Sequence, residues 1–297
     1  MLVGRSHECN WPGEITHLPI LTGQKTSFSS AAETDAQVSS MLASGESLYT
    51  IDDSLIESLR PDLILTQDIC SVCAIDLPSV ERIAGRMHKT QGFTPEILSL
   101  NPQGLQDVLD DIVRVGEAVG LAAEAKQAKN KLMNRRAAVE GAKKGSSQSV
   151  AFIEWPEPLY IGGHWTPKMI ELAGGTHPLN PSVSEVDGAG KSFQVTPEQL
   201  VKSDPDLIIV SPCGLKLEEA EKEANALLQR DWFKNLRAVR EGKLYIVDGD
   251  AMFNRPGPRL VDALEWLRTI LQPHSVSVST SASAVTVTDF PFRRIVV

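Results

Sequence analysis

Two stretches of the chain read almost alike. Residues 55–70 are LIESLRPDLILTQDIC and residues 200–213 are LVKSDPDLIIVSPC. Pro61-Asp62 aligns with Pro205-Asp206, and LILT aligns with IIV and its flanks. Each copy predicts the end of an amphipathic helix, a Pro-Asp corner, a short buried strand and a loop carrying cysteine. Proline locks φ and lacks an N–H, so it ends the helix and marks the corner. Any α/β protein repeats helix–turn–strand units. The nearly matched cysteine offset favours two related lobes, because a repeat of this length implies two similar units.

The rest of the chain extends that pattern. Strands are predicted at Leu2–Gly4, Leu48–Ile51, Leu63–Thr66, Ile97–Leu100, Val150–Glu154, Leu207–Val210 and Leu244–Val247, with helical periodicity between most of them. Alternating strand and helix predicts parallel sheets covered on both faces. Asn101-Pro102 reads as a helix start, with Leu105, Val108, Ile112, Val115 and Val119 forming an apolar stripe behind it. Gly120 interrupts that helix. A second helix follows at about 121–143; its basic run reads as a solvated face. The tail from His274, SVSVSTSASAVTVTDF, is Ser/Thr/Val-rich, and its composition favours a loose tail over an edge strand.

Bulk properties exclude several classes. The net charge is −9, against the basic face that nucleic-acid binding requires. No apolar run is long enough to span a bilayer, and MLVGRSHECNWPGE holds no signal-peptide core. As written, the chain reads as cytoplasmic or as belonging to an organelle interior. Four cysteines in 297 residues make no disulfide framework, so thiols in a reducing compartment or cysteines with a site role are expected.

Open α/β sheets bind ligands beyond the carboxyl ends of their strands. The chemistry-bearing residues collect there: His7, Cys9 and Trp11 after LVG; Gln67, Cys70 and Cys73 after LILT; Trp155, His164 and Trp165 after VAFIE; Cys213 after LIIV; Asn254 and Arg255 after LYIV. They are expected to share a cleft. The signals differ in strength. Cys70-x-x-Cys73 is a redox pair, a metal or cofactor contact, or two small buried side chains, the last being favoured. His7-x-Cys9 suits a soft metal, though local hydrogen bonding is the commoner role. Asp187-Gly-Ala-Gly-Lys-Ser192 resembles the end of a phosphate loop, but Glu185 stands where the first glycine is required. Neither H-E-x-x-H nor G-x-S-x-G occurs.

Taken in order, LVGRSHECNWP, PDLILTQDICSVCA, FIEWPEPLYIGGHWTPKMIELAGG, DPDLIIVSPCG and AVREGKLYIVDGDAMFNRPGPRLVDALEWL resemble one family. It is the class III (cobalamin/iron-siderophore) periplasmic-binding-protein superfamily of ABC importers, in its cobalamin-binding branch. The resemblance runs from about Leu2 to Pro273. It implies two Rossmann-like α/β lobes joined by a long rigid helix, with the ligand held in a cleft between them: an N-terminal lobe at 1–119, the helix at 120–145, a C-terminal lobe at 149–273 and the tail at 274–297. Family members begin with one further strand, loop and helix, so the resemblance implies a first lobe incomplete at its start, and a periplasmic location if an N-terminal extension precedes it. It implies a monomeric solute-binding protein, not an enzyme, that binds a corrinoid or another large metal chelate as ligand, with no prosthetic group and with an ABC permease as partner. Trp11, Gln67, Trp155, His164, Trp165, Asn254 and Arg255 would contact the ligand. His7, Cys9, Cys70, Cys73 or Cys213 would approach its metal. Each indole brings about 4–6 kcal/mol of gross burial toward the ~12 kcal/mol of nanomolar binding. Two alternatives stand beside this reading: a cytosolic thiol-dependent enzyme or cobalt/redox protein using the cleft cysteines, and a truncated non-binding homologue.

Overall fold

The structure is a computed structural model and describes residues 1–67, 75, 77–142, 145–183, 187–273 and 290–296. The chain divides into two compact units: unit 1 comprises Met1–Asn101 and Glu117–Leu121, and unit 2 comprises Pro102–Gly116 and Ala122–Val297.

Unit 1 contains β1 (Thr22–Gln24), α1 (Ala31–Ala43), β2 (Tyr49–Ile51), α2 (Asp53–Leu59), β3 (Leu63–Gln67), α3 (Leu77–Gln91) and β4 (Glu96–Leu100). β1 runs antiparallel to β2, with Thr22 opposite Ile51. β3 runs parallel to β4, with Leu63 opposite Glu96. Side-chain caps start α1 and α2: Ser30 Oγ accepts the Glu33 N–H at 3.3 Å and Asp52 Oδ1 accepts the Leu55 N–H at 2.9 Å. Arg60 closes α2 in the left-handed region, φ 47°, directly before Pro61. Ile56, Ile83 and Met87 form a small core, with Leu21, Ile51, Ile64 and Phe93 against it. The strand predicted at Leu2–Gly4 does not form. Only Arg5 makes a parallel bridge, to Ile20, and Leu2 is half exposed. An extended segment becomes a strand only where a neighbour continues the ladder, and among the described residues none does here.

Unit 2 holds most of α4 (Leu105–Ala118), then α5 (Ala122–Gly141), β5 (Gln148–Pro156), β6 (Leu159–Ile161), α6 (Thr166–Leu172), β7 (Gly175–Thr176), β8 (Phe193–Gln194), α7 (Pro197–Ser203), β9 (Leu207–Val210), α8 (Leu217–Leu228), α9 (Asp231–Lys234), α10 (Arg237–Arg240), β10 (Leu244–Val247), α11 (Arg259–Leu271) and β11 (Phe292–Ile295). The strand order is β11-β10-β9-β5-β6-β8, with β7 beside the start of β5. β10, β9 and β5 are parallel, as predicted, while β6, β8 and β11 join antiparallel to their neighbours, which makes the sheet mixed.

Period-two alternation divides the core of unit 2. Phe152, Ile209 and Val247 face one cluster with Leu264 and Leu267 of α11; Ile153, Ile208, Val210 and Ile246 face the other with Leu200, Ala220 and Val239. Each such aliphatic side chain contributes about 1.5–3 kcal/mol by leaving water. Both faces are covered, so β9 and β10 read as unbroken apolar runs.

Three further expectations are corrected. The helix predicted from Asn101-Pro102 begins at Leu105, because the Asp107 carboxylate reaches back to the N–H groups of Gln103 (2.8 Å) and Gly104 (3.1 Å) and sets the cap there. The basic run of α5 is not simply solvated. Arg135 bonds Asp262 and Glu265 of α11 at 2.6 Å each, and Arg136 is only 11% exposed. The end of the tail is an edge strand: β11 pairs with β10, and Phe290 is buried flat on Trp266 with ring centroids 4.6 Å apart. Residues 274–289, whose composition favours a loose tail, lie outside the described residues. Among the described residues, no helix is long and apolar enough to cross a membrane.

Candidate functional site

The loops beyond the strands of unit 2 are tied together by hydrogen bonds that the sequence does not display. The turn after β6 comes first. A Cβ at Gly162 would lie 2.7 Å from the Phe152 ring, and one at Gly163 would lie 2.4 Å from Gly190 O and Ser192 N. Glycine is therefore required at both positions for the backbone to pass. His164 follows in the left-handed region, φ 52°. That conformation costs a non-glycine residue on the order of 1–3 kcal/mol. Two bonds offset it: His164 N–H donates to Gly190 O (2.9 Å), and Ala189 N–H donates to His164 O (2.6 Å). Trp165 is buried, and its indole N–H donates to Phe253 O at 2.6 Å. Phe253 is itself left-handed, φ 52°.

The network continues through Asn254, whose amide donates to Ser211 O (3.0 Å) and Gly249 O (3.1 Å). It thereby joins the loops after β9 and β10. Cys213 N–H donates to Glu154 O at 3.1 Å, and Ser192 Oγ donates to the Glu154 carboxylate at 2.8 Å. Trp155, partly buried, turns its indole N–H onto Glu157 O at 3.0 Å. Arg255 is ion-paired with Asp250. Burial raises the Asp248 carboxyl above its usual range, even though it accepts from Ala251 N–H at 2.7 Å. Burial, then the neighbouring Arg255 charge, lowers the Arg259 guanidinium.

A second layer supports the His164 turn. Asn180 donates its amide to Gly162 O at 3.1 Å. Beside it the His177 ring is buried where β5 changes partner from β7 to β6. Its Nε2 lies 3.3 Å from Phe152 N and its Nδ1 lies 3.2 Å from Asn180 N. A neutral imidazole has one acceptor nitrogen, so the ring accepts from one of these N–H groups at a time, and the Asn180 N–H also reaches His177 O at 3.2 Å. Burial pushes the His177 pKa down to about 4.

Unit 1 carries the remaining predicted residues. His7 Nδ1 lies 2.7 Å from Thr22 Oγ1, and its ring is 5.8 Å from that of Tyr49. Cys9 is exposed, as is Cys213 in unit 2. Trp11 is exposed and precedes a cis peptide bond to Pro12. Gln67 ends β3, opposite Leu100. Cys70 and Cys73 lie outside the described residues. Among the described residues, no three His, Cys, Asp or Glu side chains converge so as to hold a metal ion.

Glu154, Phe253 and Asn180 escaped the sequence reading, and the phosphate-loop comparison gave Asp187 and Ser192 no role. The one available signal was glycine. Gly162-Gly163 and Gly188-Ala-Gly190 are the two backbones that touch, since a Cβ at Gly188 would sit 2.5 Å from His164 O.

A family model described as periplasmic binding protein matches residues 55–251. No curated protein matches the chain. Solved structures resemble it in fold. A periplasmic heme-binding protein from Pseudomonas aeruginosa is 18% identical with a TM-score of 0.63, covering 93% of this chain and 86% of that one. The periplasmic vitamin B12 binding protein BtuF of Vibrio cholerae is 19% identical with a TM-score of 0.60, covering 92% and 88%. The periplasmic heme-binding protein BhuT, in complex with two hemes, is 18% identical with a TM-score of 0.65, covering 91% and 88%.

Proposed function

Because this chain belongs to the periplasmic binding protein family, we propose that it is a solute-binding protein that takes a corrinoid on the strand-end loops of unit 2 and delivers it to an ABC-type importer. The observation that carries this reading is the ring of cross-bonded loops, in which Trp165, Asn254, Glu154 and the His164 backbone each join separate segments. Loops already ordered lose little freedom when ligand docks, so more of the contact energy remains as affinity. Relatives of the same fold are named for heme and for vitamin B12. Both are broad metal macrocycles with apolar faces and polar rims, and they suit aromatic walls with a few polar donors.

In this reading Trp155 supplies an apolar wall, Asn254 and Arg255 meet the polar rim, and His164 offers imidazole to the metal. Trp165 acts indirectly, by holding the Phe253 carbonyl. Cys213 is the soft donor of unit 2 in this reading, and Trp11, Gln67, His7, Cys9, Cys70 and Cys73 of unit 1 stay candidates from the family resemblance alone. The metal arrives inside the ligand, so one axial side chain suffices and no three-residue protein cluster is needed.

Titration with aquacobalamin, whose axial water an imidazole can replace, tests this directly. The absorption bands are expected to shift on binding, and the shift is expected to disappear in His164→Ala while persisting in His7→Ala. A saturating ligand should also raise the unfolding midpoint, by about 2.7 kcal/mol of stability at a hundredfold excess over Kd. A parallel titration with hemin decides the macrocycle: tighter binding of hemin would replace the corrinoid assignment. No spectral change and no thermal shift with either would refute the proposal.

A further inference from the structure

Asp187, rejected above as part of a phosphate loop, does something else. Its carboxylate receives the Arg136 guanidinium through two bonds, 2.7 and 3.0 Å, and the Gln106 N–H at 3.0 Å. Its carbonyl accepts the Leu105 N–H at 3.2 Å. Asp187 thus caps α4 with a negative charge at the helix end that favours one, and the two-pronged guanidinium contact fixes its orientation. Arg136 is held in turn by Glu140 of the same helix at 2.6 Å. Burial works against the Arg136 charge, but its bonds to Asp187 and Glu140 outweigh it and keep the guanidinium protonated. Two and three residues along the chain from Asp187, Ala189 and Gly190 make the two backbone bonds that hold His164 left-handed. The anchor of this segment therefore decides where the His164 turn rests.

We propose that the Arg136–Asp187 pair is a positioning latch that sets the segment at 187–190 and, through it, the left-handed conformation of His164. Its consequence for affinity rests on the ligand reading above; its effect on the turn does not. Neither partner belongs to the apolar core: Asp187 is 20% exposed and the pair joins α5 to a loop at the start of α4. Breaking it should loosen one turn, not the sheet.

Two variants and two readouts test the latch. In ligand-free protein, Asp187→Asn is expected to speed amide exchange at His164 and Ala189 by about tenfold or more, with the amides of β9 and β10 unchanged. Arg136→Lys keeps the charge and loses the planar fork, so it should fall between Asp187→Asn and the parent. Aquacobalamin affinity should weaken in the same order, by about tenfold for Asp187→Asn. Unchanged exchange at both amides in both variants overturns the latch. So does exchange that rises equally in β9 and β10, because the pair would then be a general stabiliser. If the parent binds neither aquacobalamin nor hemin, the ligand reading fails while the latch stands or falls on the exchange data.

Discussion

PDLILT and PDLIIV are nearly the same sequence, yet they live in different surroundings. In β3, Leu65 is 44% exposed and no residue is fully buried. In β9 the aligned Ile209 is 0% exposed, and all four residues are buried. The cause is the neighbours. β9 lies between β5 and β10 with an apolar cluster on each face. β3 has β4 as its ladder partner among the described residues. The corner differs as well. The Asp206 carboxylate accepts the Ser149 N–H and O–H, each at 2.8 Å, and faces Arg237 at 3.0 Å. Local sequence made two strands of one kind, and long-range contact made them unequal in energy.

The sharpest way to break that comparison is to truncate the aligned pair. Ile209→Ala should cost unit 2 about 3–5 kcal/mol, through lost transfer energy and a cavity. Leu65→Ala should cost unit 1 less than about 1 kcal/mol. Equal losses in urea unfolding would remove the distinction. Next in size is the edge strand that extends the sheet of unit 2. Phe290→Ala empties the face of Trp266 and should cost about 3 kcal/mol, seen as a lower melting midpoint.

The buried ring of His177 adds a pH dependence to unit 2. Its folded pKa, about 4, lies below the ordinary 6.5, so the unfolded chain takes the proton first. Its contribution is complete above pH 6.5 and is lost as the pH falls from there toward 4. From pH 7.5 to 5 the loss should be about 2 kcal/mol. His177→Gln should flatten that part of the profile, and an unchanged slope would count against the buried neutral ring. The smallest effect belongs to the corner. Burial pushes the Asp206 carboxyl up, but its bonds to Ser149 and Arg237 prevail and leave it below its ordinary value. Its stabilisation is present above the unfolded value of 3.8 and is lost as the pH falls through the lower folded value. Because the group is partly exposed and screened, Asp206→Asn should cost only about 1 kcal/mol. Asp62→Asn, at the aligned position, should stay within about 0.5 kcal/mol.

The strands at 49–51, 63–67, 96–100, 148–156, 207–210 and 244–247 were legible because apolar runs between turn residues need no distant partner to be recognised. The break at Gly120, φ 74°, was legible for the same local reason. The short β6, β7 and β8 were not, since two or three residues hold too little pattern. Nor was the site network. A donor such as Trp165 Nε1 meets Phe253 O across 88 positions of sequence, and only the finished packing selects that carbonyl.

By itself the sequence determined the alternation of strand and helix, the repeated Pro-Asp corner and the helix break at Gly120, because these follow from local sterics and side-chain periodicity. Tertiary structure alone decided which of two matching strands was sealed from water, that the tail would end as an edge strand, and that His164 would be held left-handed by a distant loop. Those outcomes depend on which groups meet after the chain has closed on itself, and neither composition nor spacing encodes the partner of a backbone N–H.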